Sequence, residues 1–487
     1  MRKGLVLVLA AVLVAAFAAP AMADLKVTGF YRSKAMMSNF FNMGGGGRGA
    51  VVLGSPGIGS PSISREHDGS FQYVEQRARI KFDVGTENAR AVFHFESDMN
   101  WGVGSGQDGA RNGGGALSAD SVQLETKEVY VWFKIPDTSI SAKVGMQSVD
   151  DHYAGIFSNG ADMTGIFVNG QFEPVKWTVG WAKLYENMAG VSDDTALYLA
   201  SVQFAPGKDM NVGVNFYMLK DDSGRNLSYL GNNYLGATGA PFIDTYKSSL
   251  YMPGANFSMN AGPAKISGFA FWQFGRVSEH NGVDESFNIS AGMIDLRADV
   301  KAGPGNFFLE GFYIRGTKAE EHGTHRSIIT LGDYDGTNNG GTGGNSGFGR
   351  TNMYFLFGAD SMNISQCIIG CSGGYLDDGF GNFGYGLWHV ATGYSQKFTE
   401  AVRGSFNIGY AAAAASAPSR RSLNDRTGKS IGIETNARVD YTVSKGLDLS
   451  LVGSYLYAGN FVTDNITHAE GPERNYYMLY GRVGFAF

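Results

Sequence analysis

Beyond its first residues, the sequence lacks a long apolar run. After residue 23, no stretch approaches the roughly 18 uninterrupted apolar residues of a membrane-spanning helix, which argues against such helices. At the start, Arg2 and Lys3 precede an apolar core and the small-residue site Ala21-Met22-Ala23. This order is typical of a secretory signal peptide. The sequence therefore predicts a signal peptide over residues 1–23 and a mature exported chain over 24–487.

Cysteine is nearly absent. The 487 residues include two, Cys367 and Cys371, in a glycine-rich segment. Because an exported chain meets an oxidising compartment, the pair predicts a small loop disulfide. A metal site is the alternative, but two thiolates with no nearby histidine make half of a zinc site. No Cys-x-x-Cys-His motif occurs, so covalent haem is not expected, and we predict no cofactor.

Catalytic motifs are lacking as well. The sequence has no His-Glu-x-x-His, no Gly-x-Ser-x-Gly and no phosphate-binding loop, so we predict that the chain is not an enzyme. Its formal net charge of −6 argues against nucleic acid as a partner. Glu320, Glu321, His322 and His325 could hold a divalent cation, but solvated loop charge is the simpler interpretation, and we predict no metal site.

Glycine and aromatic residues, by contrast, are plentiful. Glycine accounts for 70 of 487 residues, which is about twice its usual share. In the last thirteen residues, apolar side chains alternate with small, aromatic or charged ones. The apolar set includes Tyr477, Leu479, Val483, Phe485 and Phe487. Side chains alternate faces along a strand, so the chain ends in a strand with an apolar outer face, as a barrel-closing strand does.

Alternating segments of this kind recur from residue 25 onward. We count eighteen, with sixteen as the alternative; two of them cover 121–135 and 305–318. Tight turns such as Pro136-Asp137-Thr138 alternate with long, glycine-rich loops. Short periplasmic turns and long extracellular loops are the layout of outer-membrane barrels. We therefore predict an all-β fold, one transmembrane antiparallel β-barrel over 24–487 in the bacterial outer membrane.

One region does not fit a simple strand or loop. Residues 319–383 are predicted as a long extracellular loop region. Within it, the apolar run Met353 to Phe357 could form a further strand.

The inward face of the early strands is predicted to be charged. We expect a basic ladder of Arg77, Arg79, Lys81, Arg90, Lys134 and Lys143, and lumen aromatics Tyr73, Tyr130 and Trp132. A cation on the lipid face costs roughly 2–4 kcal/mol at mid-membrane, so these cations must face water. The simpler interpretation, left open, is that they neutralise Glu75, Asp83, Glu96, Asp98 and Glu128.

After the strand near 139–147, residues 148–161 mix apolar and acidic residues. At this point the chain resembles the bacterial porins, in which an inserted outer loop narrows the barrel. The resemblance implies that Asp150 and Asp151 face the basic ladder across a constriction. The terminal Phe487 resembles the assembly signal of outer-membrane proteins, which implies the barrel-assembly machinery as a partner.

A narrower resemblance is carried by two segments, Val74-Glu75-Gln76-Arg77-Ala78-Arg79 and Leu124 to Tyr130. They are similar to homotrimeric porins of sulfate- and metal-reducing bacteria, which implies a homotrimer in outer-membrane lipid. The function expected first is passive diffusion of ions and small hydrophilic solutes, with a mild anion preference. The alternatives are a channel specific for a sugar, carboxylate or oxyanion, an enzyme within a barrel, and a barrel that houses a multihaem conduit.

Overall fold

The structure, a computed structural model, describes most of residues 24–487. The described residues are 24–40, 71–103, 115–118, 124–186, 188–223, 246–279, 286–318, 323–331, 350–362, 367–369, 384–416, 418–419, 422–426, 428–465 and 474–487. The predicted signal peptide, residues 1–23, lies outside them.

Eighteen strands form one antiparallel sheet that closes on itself. They are β1 (Asp24–Ser38), β2 (Phe71–Gly85), β3 (Ala89–Asn100), β4 (Glu125–Lys134), β5 (Ile140–Val149), β6 (Ala161–Phe172), β7 (Val175–Tyr185), β8 (Thr195–Gly207), β9 (Met210–Asp221), β10 (Tyr246–Ala261), β11 (Ala264–Glu279), β12 (Phe287–Ala302), β13 (Gly305–Ile314), β14 (Leu387–Lys397), β15 (Val402–Ala413), β16 (Ser430–Ser444), β17 (Leu447–Ala458) and β18 (Asn475–Ala486). Each strand pairs with the next, and β18 pairs with β1. The predicted barrel of eighteen strands is confirmed, and the alternative count of sixteen is wrong.

Outward side chains form an apolar belt around this barrel. On β12, Ile294 and Leu296 are 57% and 54% exposed, while Asp295 between them is 2% exposed. This alternation inverts that of a soluble protein, because the apolar side chains face out and the charged one faces in. Exposing the belt to water would cost about 25 cal/mol per Å² of apolar surface. A bilayer around the barrel removes that cost.

Connection lengths also alternate around the barrel. After each even-numbered strand up to β16, a short turn leads to the next strand, such as residues 86–88 after β2 and 445–446 after β16. The connections after odd-numbered strands are longer and include 39–70 and 315–386. Short turns mark the periplasmic rim and long loops the extracellular rim. Asp24 and Phe487 both lie at the periplasmic rim.

The first and last strands close the barrel through a tight seam. The N–H groups of Gly29 and Phe487 each donate to the other residue's carbonyl oxygen at 3.0 Å. A Cβ atom at Gly29 would lie 2.4 Å from the Arg79 carbonyl oxygen and 2.7 Å from the Phe487 ring. Position 29 therefore requires glycine, because a larger residue would push the terminal aromatic away from the seam.

Within the described residues, two short helices lie between strands, α1 (Tyr354–Phe357) and α2 (Asn460–Asn465). The suggestion that Met353 to Phe357 forms a strand is wrong, because the run turns into α1 and ends at Gly358 in the left-handed conformation. Among the described residues, no helix is long and apolar enough to cross a membrane.

Several loops fold inward and build an apolar core inside the lumen. Tyr153 packs against the inward side chain of Phe271, with ring centroids 4.9 Å apart. The Leu331 N–H donates to the Phe157 carbonyl oxygen at 3.1 Å, so two inserted loops touch each other. The described parts of the predicted extracellular loop region 319–383, α1 among them, belong to this core. Loops therefore narrow the lumen from within.

Candidate functional site in the barrel lumen

The predicted basic ladder lies on the inner wall, and each of its first four cations has a carboxylate partner. Arg77 binds Asp98 through two hydrogen bonds of 2.7 and 2.5 Å. The other pairs are Arg79 with Glu96, Lys81 with Glu128 at 2.6 Å, and Arg90 with Asp83 at 2.5 Å. Arg77 lies opposite Asp98 and Arg79 opposite Glu96 because ladder neighbours on β2 and β3 point the same way. Lys81 instead reaches across to Glu128 on β4. The wall is thus a row of ion pairs rather than a row of isolated cations.

Exposure to water rises along this wall toward the periplasm. Glu75 is fully buried in a pair with Lys34, next to the inserted loops. The side chains of Arg77, Arg79 and Lys81 are 19%, 27% and 33% exposed. The ladder therefore emerges from the loop core into an open part of the lumen.

The remaining predicted lumen residues take different positions. The Lys143 ammonium lies 5.1 Å from the centre of the Tyr130 ring. In the strand register, Trp132 lies opposite Arg90 on β3 and Lys143 on β5. Lys134 is exposed near the periplasmic turn. Tyr73 packs against the loop core and donates to the Met36 sulfur at 3.0 Å. Tyr73 thus belongs to the packed region of the lumen, away from Lys81.

Cations on the closing strands extend the ladder across the seam. Arg32 on β1 lies opposite Arg77 on β2, and Lys34 lies opposite Arg482 on β18. Arg32 is 34% exposed, and among the described residues it has one ion pair, a long one of 3.9 Å to Asp360. The ladder prediction omitted Arg32 and Arg482, although strand alternation places both inward. Because the last strand of a closed barrel pairs with the first, the inward positions of Arg32 and Arg482 could have indicated that they adjoin the ladder.

Two guanidinium groups lie near the Phe30 ring. The guanidinium carbons of Arg32 and Arg79 lie 4.9 and 5.5 Å from the centre of the ring. Stacking on an aromatic ring stabilises a cation and orients it. These two cations are thereby held at the inner wall.

The predicted constriction loop, 148–161, folds into the barrel, and its two acidic residues differ in role. The Asp151 carboxylate accepts backbone N–H bonds from Tyr153, Gly155, Phe157 and Ser158, at 2.6 to 2.9 Å. Burial raises the pKa of Asp151 to about 6, against the effect of these donors. Asp150 is exposed. Asp151 thus organises its own loop, and Asp150 is the acidic group that water reaches.

A second inserted segment supplies ionic groups that the ladder prediction did not include. Arg350 pairs with Asp295 on β12 at 2.9 Å. Asp360 pairs with Arg482 on β18 at 2.6 Å. Both contacts join residues more than fifty positions apart. No local sequence pattern could have indicated them.

Two further predictions concern residues at the edge of the site. Cys367 is buried and disulfide-bonded, while Cys371 lies outside the described residues. The C-terminal residues Tyr477, Leu479, Val483, Phe485 and Phe487 are exposed on the outer wall. They form part of the apolar belt beside the seam.

Possible metal ligands are few within the described part of the chain. Glu186, Asp193 and Asp194 cluster in the loop after β7, where Lys183 already pairs with Glu186 and Asp194. Glu320, Glu321 and His322 lie outside the described residues, and His325 is buried.

Comparison with known proteins finds similarity in fold but not in sequence. No protein-family model and no curated protein matches the chain. OpdK of Pseudomonas aeruginosa, solved with vanillate, superposes with a TM-score of 0.51 at 10% identity over 95% of this chain and 98% of that chain. OpdQ of Pseudomonas aeruginosa gives a TM-score of 0.50 at 9% identity over 95% and 99%. OccAB4 of Acinetobacter baumannii gives 0.50 at 8% identity over 95% and 98%. At these identities, the likeness shows the fold.

The closed barrel, its apolar belt and its charged lumen together define a class of protein. The chain is a multi-pass β-barrel of the bacterial outer membrane with the fold of an outer-membrane porin.

Proposed function

We propose that the chain forms a narrow, anion-preferring channel for small hydrophilic solutes across the outer membrane. The proposal is carried by one observation: partly exposed cations line the wall of β1 and β2 beside the inserted loops that fill part of the lumen. Arg32, Arg79 and Lys81 are 34%, 27% and 33% exposed, and Arg32, unlike the other two, has no ion pair shorter than 3.9 Å among the described residues. The charge of the residues that ring a pore and the diameter of the pore determine which solutes pass.

The filled part of the lumen favours a selective channel over a wide one. Eighteen strands alone enclose a water-filled bore. Here the loops that carry Tyr153, Phe157 and Leu331 form a packed core within that bore. A solute must therefore pass beside the cation-bearing wall, where its charge and size decide its rate. A channel for one class of anionic solute is the favoured form of the proposal.

Solute entry into proteoliposomes tests the channel and its bore. We expect liposomes that contain the protein to swell in arabinose and to swell much more slowly in raffinose. Equal swelling in both sugars would contradict the narrowed path, and no swelling in either would contradict a channel.

The expected partners extend this proposal. The belt fits outer-membrane lipid, and the apolar C-terminal strand fits recognition by the barrel-assembly machinery. We also propose a homotrimer, on the resemblance to porins alone. The mass of the detergent-purified protein tests the trimer, and a monomer mass would contradict it.

A further inference from the structure

One inserted segment runs along the inner wall and contacts several strands. Residues 350–362, which we call the inner strap, begin beside β12 and end beside β1. Between these ends, Asn407 on β15 and Asn436 on β16 both donate to the Asn352 carbonyl oxygen at 3.1 Å. The Glu434 carboxylate on β16 accepts the N–H groups of Tyr354, Phe355 and Leu356. The strap is therefore fixed to a series of strands along its length.

At its first end, the strap contributes a cation to an acidic wall. The Arg350 guanidinium lies 2.9 Å from Asp295 and 3.4 Å from Glu310. These carboxylates are 2% and 0% exposed. Arg297 pairs with Glu310 at 2.7 Å but also with Asp299. Without Arg350, this part of the wall would hold more buried negative than positive charge, which is costly.

At its other end, the strap contributes an anion to a basic wall. The Asp360 carboxylate accepts two hydrogen bonds from Arg482, at 2.6 and 2.8 Å, and one from the Tyr480 hydroxyl at 2.9 Å. Lys34 donates to the Asp360 carbonyl oxygen at 3.1 Å. Arg32 and Arg438 each lie 3.9 Å from the carboxylate. Burial favours the neutral acid, but Arg482 and the other cations hold the pKa of Asp360 below its ordinary value.

The Arg350 end of the strap is positive and lies against acidic residues of β12 and β13. The Asp360 end is negative and lies against basic residues of β18 and β1. The strap therefore fits the barrel in one orientation. We propose that Asp360 is a positioning residue that fastens the inner strap at the seam and so keeps the channel at its narrow bore. This inference rests on the proposed channel function. Loss of the fastening leaves the strap held at Arg350 and Glu434, while the part around Asp360 moves away from the seam and the bore beside Arg32 varies.

The test compares Asp360→Asn with the matched control Asp440→Asn. Asp440 also pairs with Arg438, at 2.7 Å, but lies on β16 and not on the strap. Each substitution removes one lumen carboxylate next to Arg438. In planar bilayers we expect Asp360→Asn to show a changed single-channel conductance with frequent transitions between levels. We expect Asp440→Asn to keep the steady wild-type conductance while its reversal potential shifts toward anions.

Amide hydrogen exchange of Gly358, Ala359 and Ser361, whose N–H groups donate to carbonyl oxygens within the strap beside Asp360, reports on this end of the strap without relying on current. We expect faster exchange in Asp360→Asn and wild-type exchange in Asp440→Asn. Arg482→Gln removes the same ion pair from the wall side. It should show the same changed conductance and faster exchange, and it replaces Asp360→Asn if the latter fails to assemble. Wild-type exchange and steady wild-type conductance in both Asp360→Asn and Arg482→Gln would overturn the positioning role. Absence of current from the wild-type protein would instead overturn the proposed channel function.

Discussion

Individual lumen cations differ in how much of their charge a solute can reach. Arg77 holds Asp98 with two hydrogen bonds and is 19% exposed, whereas Arg32 makes a long ion pair of 3.9 Å with Asp360 and is 34% exposed. A pair of short, bidentate contacts leaves few donors for a passing anion. Sequence alternation predicts that Arg77 faces inward, but it does not predict which carboxylate Arg77 binds.

This difference predicts unequal effects of two similar substitutions. Arg32→Gln should reduce the anion preference more than Arg77→Gln, because it removes the more accessible charge. The reversal potential in a salt gradient measures both variants. An equal shift, or a larger one for Arg77→Gln, would contradict the assignment of Arg32 to the solute path.

The loop that contains Asp151 should respond to pH. Because burial in the folded loop raises the pKa of Asp151 to about 6, the folded loop binds a proton more readily than the open loop. Loop stability is then full at acidic pH and declines as the pH rises through about 6. We expect the amides of Phe157 and Ser158 to show larger hydrogen-exchange protection factors at pH 5 than at pH 7.5.

Two variants test the origin of that dependence. Asp151→Asn should remove it, since no carboxyl group remains to titrate at the centre of the loop. Asp150→Asn, at the exposed neighbour, should retain it. Persistence of the pH effect in Asp151→Asn would assign the effect to another group.

At the scale of elements, the strands were predictable and the inner strap was not. A strand shows its two faces through a local period of two residues, so the predicted segment 121–135 lies close to β4 (Glu125–Lys134). A short apolar run such as Met353 to Phe357 has no such signature. Its conformation depends on Glu434, about eighty positions further along the chain.

Glu434 should therefore stabilise the strap measurably. Glu434→Gln replaces a charged acceptor of three backbone N–H groups with a neutral one. Hydrogen bonds to charged groups contribute about 1.5–3 kcal/mol each, so we expect a loss of about 2 kcal/mol in the free energy of unfolding. Denaturant titration in detergent measures it, with the exposed turn variant Glu400→Gln as the control. An unchanged midpoint for Glu434→Gln would contradict the stabilising role.

The seam between β1 and β18 gives a prediction for assembly. Gly29→Val places side-chain atoms against the Arg79 backbone and the Phe487 ring, so closure of the barrel should fail or slow. Gly484→Ala on β18 is the control, because nothing lies within 4 Å of the added Cβ. Heat-modifiable migration on a gel reports the folded barrel. Equal folded fractions for the two variants would show that the seam tolerates a side chain at position 29.

For the whole molecule, the outer wall follows from the sequence more directly than the lumen does. Alternation, turn lengths and the apolar final strand together predict a closed barrel in a membrane. The filling of the lumen depends on contacts between loops distant in sequence, such as the bond from Leu331 to Phe157. The sequence predicts inward cations on β2 to β5, but the contacts through Arg482 and Asp360 required the folded structure.

Planar-bilayer recording of the purified wild-type protein tests whether the lumen is an open channel that prefers anions. We expect stepwise insertions of a small, ohmic conductance whose reversal potential in a potassium chloride gradient shows a preference for chloride. Stable insertion without current, or a preference for potassium, would contradict a narrow channel lined by accessible cations.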